Sequence, residues 1–271
     1  MRLKEKLESM SLEDYAIIEH TVRERMLRFS DSSLTVAKDE EVSAVTIYMA
    51  KSGRRMLGTT SDLRPVGLEA FVEALASSLR TSPEAEYAHL PEGPFKYTHN
   101  GDADERLAEA DLAELVERAI NSALEAGAER VSGTLTAHLT ELAISTSAGA
   151  EGSDFRTGIE LNVRAFCGKE ASGHDLSVAT KLERFEPESA GRTAGEYSVL
   201  AKNPRPIKEG RYDVMMGPTV AASMFELIGL HASAFEIDAG LSIFTEKLDE
   251  KVAVEGFTLI DHGQIENGLD S

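Results

Sequence analysis

Residues 211–231, RYDVMMGPTVAASMFELIGLH, decide what fold we expect for the second half of this chain. Residues 212–216 predict a short strand, and Gly217-Pro218 predicts a turn followed by a helix. Proline is well placed at the first helical position, where a missing N–H costs nothing. The apolar residues beyond it recur at helical spacing, which predicts a helix with one buried face; they are Val220, Met224, Leu227, Ile228 and Leu230.

Six residues of this helix, Phe-Glu-Leu-Ile-Gly-Leu at 225–230, resemble the HExxxH motif of the TldD/PmbA family of metallopeptidases, also called modulators of DNA gyrase. In the catalytic branch of that family the two histidines bind a metal and the glutamate can activate a water. Glu226 matches the glutamate, but Phe225 and Leu230 stand at the histidine positions. The resemblance therefore implies a PmbA-type member that lacks the metal site.

Glu226 and His231 are the two candidates for a catalytic or metal-binding role in this helix, and the sequence does not assign the catalytic residues. Glu226 is either a remnant of the general base or an exposed carboxylate. His231 lies one residue beyond the second histidine position, and one helical step turns a side chain by about 100°. Since a metal site needs at least three convergent protein ligands, we predict no metal site and no cofactor-binding residue in this chain.

The charge balance and cysteine count of the sequence exclude some classes of binding partner and compartment. The 28 basic and 47 acidic residues give a formal charge of −19, which argues against a nucleic-acid surface because phosphate binding relies on clustered Lys and Arg. The single cysteine, Cys167, excludes an internal disulfide framework and fits a reducing compartment. No secretory segment or membrane-spanning apolar run is visible. We predict a cytoplasmic protein with no membrane or nucleic-acid partner, and we expect Cys167 to be buried and inert.

The rest of the chain alternates between strand-like and helix-like patterns. A short helix is expected within residues 1–14. The predicted strands cover residues 15–29, 33–41, 42–50, 54–60, 131–137, 141–147, 158–167, 175–182 and 252–260. The predicted helices cover residues 68–79 and 105–126, with Asp104 as the N-cap of the second and Gly127 at its end. The family resemblance implies a further helix at residues 188–200.

Further stretches resemble the same family. Residues 127–133, Gly-Ala-Glu-Arg-Val-Ser-Gly, and the Ser-Thr-Ser-Ala-Gly at 145–149 resemble its middle segment, and residues 207–214 resemble the entry into its third segment. The resemblance implies an α+β fold with mixed and antiparallel sheets covered by helices. We expect an N-terminal domain at 1–205, made of segments 1–80 and 104–205 joined by a Pro- and Gly-rich linker at 81–103. Residues 206–271 would begin a β-rich C-terminal domain, which looks incomplete because family members continue with more strands.

The function that the resemblance implies is cleavage of unstructured peptides inside a cavity between two subunits. On this hypothesis the chain is the non-catalytic subunit and pairs with a TldD-like subunit that carries zinc. Two alternatives stay open. One is a homodimeric hydrolase with an atypical site that includes Glu226 and His231, and the other is a structural protein that only binds peptides.

Overall fold

The structure is a computed structural model that describes residues 3–84, 89–99, 103–262, 265 and 268. Seven strands and six α-helices occur in this part of the chain. The strands are β1 (Asp14–Ser30), β2 (Ser33–Lys51), β3 (Arg54–Thr60), β4 (Phe95–His99), β5 (Arg130–Thr146), β6 (Ala150–Cys167) and β7 (Ala171–Ala179). The helices are α1 (Leu3–Glu8), α2 (Pro65–Thr81), α3 (Leu112–Glu125), α4 (Pro187–Leu200), α5 (Pro218–His231) and α6 (Ala234–Asp238).

All seven strands form one mixed sheet in the order β3-β2-β1-β5-β6-β4, and β7 also pairs with β6. Every pairing is antiparallel except that of β4, which runs parallel to the beginning of β6. The sheet joins strands from both predicted N-terminal segments, and β4 lies inside the stretch predicted to be a linker. The predicted α+β class is confirmed, whereas the domain boundary at residue 205 stays a prediction.

Helices cover one face of the sheet in two separate groups. At one end α1 and α2 pack on β1, β2 and β3 around a core that includes Ile47, Met49 and Val72. At the other end α3 and α4 pack on β5, β6 and β7 around Leu135, Leu161 and Val116, among others. Each group removes apolar side chains from water, which is the main favourable term in folding.

Strand β1 passes beneath both helical groups. Tyr15 and Ile17 are buried in the first core and Phe29 is buried in the second. These residues share the parity that places side chains on one face of a strand, and β1 pairs with β5 without a register shift from Ala16 to Phe29. The two helical groups therefore lie on the same face of the sheet.

Several predicted boundaries were wrong. The two strands predicted at 33–41 and 42–50 are one strand, β2, because the charged residues between them continue to pair with β1. The strands at 131–137 and 141–147 likewise merge into β5. Helix α3 begins seven residues later than predicted: Asp111, not Asp104, accepts hydrogen bonds from the N–H groups of Ala113 and Glu114. Asp104 instead caps a separate 3-10 turn, Glu105–Ala108.

The C-terminal part of the described chain departs most from expectation. Helix α5 is confirmed, but the strands predicted at 212–216 and 252–260 are absent, since a strand needs a neighbour for its N–H and C=O groups and the described chain offers none there. The predicted buried face of α5 was also wrong, because no residue of that helix is buried. No helix among the described residues is long and apolar enough to cross a membrane.

Candidate functional site

The motif residues of α5 do not assemble a metal site. Phe225 packs its ring on Phe257, with 5.9 Å between the centroids and an angle of 32° between the planes. Leu230 is exposed, and the carboxylate of Glu226 forms no ion pair or hydrogen bond with the described residues. Among those residues, no three His, Cys, Asp or Glu side chains come close enough together to hold a metal ion.

His231 lies at the end of the same helix and is half-buried. Its Nδ1 atom has no hydrogen-bond partner within the described chain, while its carbonyl oxygen accepts a hydrogen bond from the Ser242 hydroxyl. Five helical steps separate His231 from Glu226, which places the two side chains about 140° apart around the axis. The helix therefore does not bring the two candidate residues together.

A different site lies on the sheet, where the helical layer is interrupted. Between the two ends of β1, the residues that face the helices become polar: Glu19, Thr21, Arg23 and Arg25. Above them is an open cavity of about 600 Å³, which we call the sheet groove. Its lining is Glu19, His20, Thr21, Ser43, Ala44, Val45, Leu63, Glu105, Glu141, Leu142, Ala143, Ser153, Asp154 and Phe155.

The floor of the sheet groove follows from the strand register. Thr21 of β1 lies opposite Ser43 of β2 and Glu141 of β5, and Glu141 lies opposite Phe155 of β6. Directly opposed residues in a sheet share a face, so these four side chains form one row across four strands. The Thr21 and Ser43 hydroxyls are 2.8 Å apart. A second hollow of about 330 Å³ continues the groove and shares Thr21, Glu105, Glu141 and Phe155 with it.

Two arginines lie at the far end of the groove, beside the second hollow. Arg25 donates from Nη1 to the carbonyl oxygens of Ala108 and Ala110, at 2.9 and 3.0 Å, and so ties the 3-10 turn to the sheet. Arg23 is ion-paired with Glu41, with 2.8 Å between Nε and Oε2. Its guanidinium charge is therefore already compensated.

Three of the four carboxylates of the groove are not compensated in this way; the fourth, Asp154, is ion-paired with Arg156, with 3.4 Å between Oδ2 and Nε. Glu19, Glu105 and Glu141 are exposed to the groove and form no ion pair with the described residues. Like charges placed around one concave surface reinforce each other and attract ligands of opposite charge. The sheet groove is therefore an electronegative site.

Asp104 holds the 3-10 turn that forms one wall of the groove. It is buried, and it accepts hydrogen bonds from Nε and Nη2 of Arg106 at 2.7 and 2.9 Å and from the Leu182 N–H at 3.0 Å. The Asp104 N–H donates to Oγ1 of Thr157 in β6. The Arg106 guanidinium, helped by the Leu182 N–H, holds the pKa of Asp104 below its ordinary value against the effect of burial.

The sequence interpretation missed the groove, although β1 carried the signal. Every second residue of β1 faces the helices. These positions are apolar at Ile17, polar at Glu19, Thr21 and Arg23, and apolar again at Phe29. That pattern indicates a strand covered at both ends and open in the middle. Recognising it requires knowing that Ile17 and Phe29 lie under helices on the same face.

Comparison with known proteins places the chain in a family. The model of the PmbA/TldA metallopeptidase central domain matches residues 102–201, and the model of the corresponding C-terminal domain matches residues 209–271. The two matches together cover more than half of the chain. A metalloprotease from Methanothermobacter thermautotrophicus is 38% identical over 86 residues, which are 31% of this chain and 19% of that protein.

Three solved structures share the fold. A proposed modulator of DNA gyrase from Thermotoga maritima has a TM-score of 0.76 at 21% identity and is matched over 92% of this chain and 59% of its own. A proposed modulator of DNA gyrase from Bacteroides thetaiotaomicron has a TM-score of 0.74 at 17% identity, and the match covers 93% of this chain and 60% of that protein. TldE from Thermococcus kodakarensis has a TM-score of 0.63 at 18% identity, and the match covers 74% of this chain and 48% of that protein.

This chain spans less than two thirds of the length of each of these relatives. The solved structures support the fold at low identity, whereas the two domain models match the sequence itself. On this evidence the chain belongs to the PmbA/TldD family.

Proposed function

We propose that this chain is the non-catalytic, PmbA-like subunit of a cytoplasmic metallopeptidase that acts on unstructured peptides. The observation that supports this most directly is that Phe225 and Leu230 stand where the resemblance to the HExxxH motif puts the two metal-binding histidines. Phe225 packs on another aromatic ring, so it serves the local packing of the C-terminal part. A lone Glu226 without a metal cannot polarise a peptide carbonyl or lower the pKa of a water.

A TldD-like subunit would supply the zinc, the ligands and the general base, and this chain would complete the cavity and hold the substrate. The test is metal content and peptidase activity of the untagged chain, alone and copurified with a TldD-like companion, with an unfolded protein such as carboxymethylated casein as substrate. We expect zinc and turnover only in the copurified pair. About one zinc per chain in the protein alone, or strong turnover without the companion, would contradict the proposal.

Two variants separate this proposal from a homodimeric hydrolase. Glu226→Gln and His231→Ala in this chain should leave the peptidase activity of the pair unchanged, because neither side chain would touch the reacting atoms. A hydrolase that used them would lose activity, since removal of a general base or a ligand costs orders of magnitude in rate. Thermal unfolding of both variants controls for loss of structure.

The sheet groove favours a second candidate, a peptide-binding role without hydrolysis. Peptide cleavage by this chain together with a TldD-like companion distinguishes the binding role from the peptidase role. Peptide binding by this chain together with no cleavage by any TldD-like companion would favour the binding role, whereas cleavage by the pair favours the peptidase.

A further inference from the structure

The sheet groove lies where no helix covers the sheet, between the two helical groups. Along β1 the helix-facing positions from Glu19 to Arg25 lie between two buried cores, and the Arg25 guanidinium holds the wall that stops the second core from closing over them. Filling this strip with apolar residues would extend the core, which is what the neighbouring positions do. The sequence instead leaves a polar strip under an open cavity.

The size of the groove fits an extended chain. It crosses β2, β1, β5 and β6, and neighbouring strands lie about 4.8 Å apart. The floor therefore spans roughly 14 Å, which accommodates about four residues at the ~3.4 Å rise of an extended peptide. A second hollow lengthens the groove beyond Glu105 and Glu141.

The chemistry of the lining selects for hydrogen-bond donors and positive charge. Glu19, Glu105 and Glu141 only accept hydrogen bonds when ionised, and they have no ion-pair partner among the described residues. The side chains of Leu63 and Phe155 supply apolar surface beside them. Lysine and arginine side chains match this combination, because they bury an aliphatic stem and keep a charged end. Phosphate or acidic ligands would be repelled.

We propose that the sheet groove binds an extended peptide through basic side chains, with Glu105 and Glu141 as their principal partners. This inference rests on the proposed function and names its substrate class: unstructured peptides that carry Lys or Arg. Thr21 and Ser43 lie in the floor, where their hydroxyls can hydrogen-bond to the peptide main chain. Leu63 and Phe155 contact the aliphatic stems.

The test is binding of a fluorescent Gly/Ser peptide with central arginines to the whole chain, without companion subunit and in the presence of a chelator. Fluorescence anisotropy should show binding of this peptide and none of the same peptide with glutamates. The double variant Glu105→Gln/Glu141→Gln should weaken binding about tenfold, as expected for the loss of two charge-assisted contacts near the surface. Unchanged affinity in this variant would overturn the proposal.

A matched control separates the groove from the general attraction of a chain whose charge is −19. Glu117→Gln/Glu196→Gln removes the same charge from exposed positions of α3 and α4, outside the groove. It should leave the affinity unchanged, and equal weakening in both double variants would mean nonspecific attraction and refute the groove. Competition with spermidine distinguishes a free polyamine: displacement at equal concentration would assign the site to polyamines and overturn the peptide assignment.

The result of the peptide-binding experiment does not depend on the result of the zinc measurement that tests the proposed function. Zinc found in the chain alone would refute the non-catalytic role but leave a positive binding result intact. Absence of arginine-peptide binding would refute the groove proposal while the copurified pair still cleaved casein.

Discussion

At the scale of single residues, Asp104 shows how a buried carboxylate positions the wall of the groove. Replacing it with asparagine removes the charge that Arg106 faces and weakens the acceptor for the buried Leu182 N–H. We predict that Asp104→Asn lowers the free energy of unfolding by about 2 kcal/mol at neutral pH, the usual size for a buried charge-assisted hydrogen bond. Urea denaturation measures it.

The pH dependence of that difference has a definite sign. The folded-state pKa of Asp104 is lowered by Arg106 and the Leu182 N–H, so it lies below the unfolded value of about 4. The stabilisation is complete above the unfolded pKa and is lost as the pH falls through the folded pKa. The difference between wild type and Asp104→Asn should therefore shrink in acid, and a difference that grew in acid would contradict this assignment.

Asp62 is a control with the same local geometry. It binds Nε and Nη2 of Arg64, also two residues later, at 2.8 and 2.6 Å, and this pair lowers the pKa of Asp62 to about 2. The pair is solvent-exposed, so screening by water makes its contribution to stability small. Asp62→Asn should thus change the unfolding free energy much less than Asp104→Asn. Equal effects would show that burial is not the source of the stabilisation.

At the scale of elements, the close contact of α3 with α4 depends on glycine. A Cβ atom built on Gly191 would lie 2.1 Å from the carbonyl oxygen of Ala119, which is backbone and cannot turn aside. We predict that Gly191→Ala destabilises the protein by about 3 kcal/mol because the two helices must separate, despite the better helix propensity of alanine. Thermal or urea unfolding of the variant checks the value.

Gly229 provides the matched control for this helix experiment. It lies in α5, and a Cβ there would meet nothing within 4 Å. Gly229→Ala should leave global stability unchanged or raise helix content slightly, by up to about 1 kcal/mol of local propensity. A loss as large as that of Gly191→Ala would mean that α5 is packed against another part of the molecule.

Elements were predictable from sequence wherever a local pattern matched the environment that the fold provides. Helix α2 has apolar residues at helical spacing and a sheet to pack on, and it was found. Strand β4 was missed because its Pro- and Gly-rich surroundings indicate a loop, and only pairing with β6 makes it a strand. The exposed α5 shows the converse error, since apolar periodicity predicts a buried face without saying what would cover it.

The candidate site was predictable to a lesser degree. Phe225 and Leu230 are read directly from the sequence, and the resemblance to the HExxxH motif puts them at its histidine positions. The sequence alone does not show the sheet groove, whose lining comes from β1, β2, β5, β6, the turn after Asp104 and Leu63 in the loop before α2. Residues far apart in the chain meet there only through strand register, which single-sequence patterns do not specify.

At the scale of the whole molecule, the described chain has a packed part and an unpacked part. Residues up to the end of α4 contain both hydrophobic cores. Between residues 201 and 262, Ser242 is the only buried residue, while Met215 and Leu248 are 99% and 88% exposed. Apolar side chains left in water contribute nothing to cohesion, so the two parts should differ strongly in resistance to local opening.

Limited proteolysis with trypsin tests this difference. Lys208 and Arg211 are exposed in a stretch without helix or strand, whereas Arg164 has an exposed side chain but lies in β6, which is hydrogen-bonded to β5 and β7. We predict early cleavage after Lys208 and Arg211 and none after Arg164 in the native chain, because a protease must extract several residues of backbone from their hydrogen bonds. Lys208→Gln/Arg211→Gln should remove the cuts at these two positions, while the exposed Lys247 and Lys251 stay cleavable. Early cleavage at Arg164, read by mass spectrometry, would instead show that the sheet opens as readily as the C-terminal stretch and that the two cores do not hold it together.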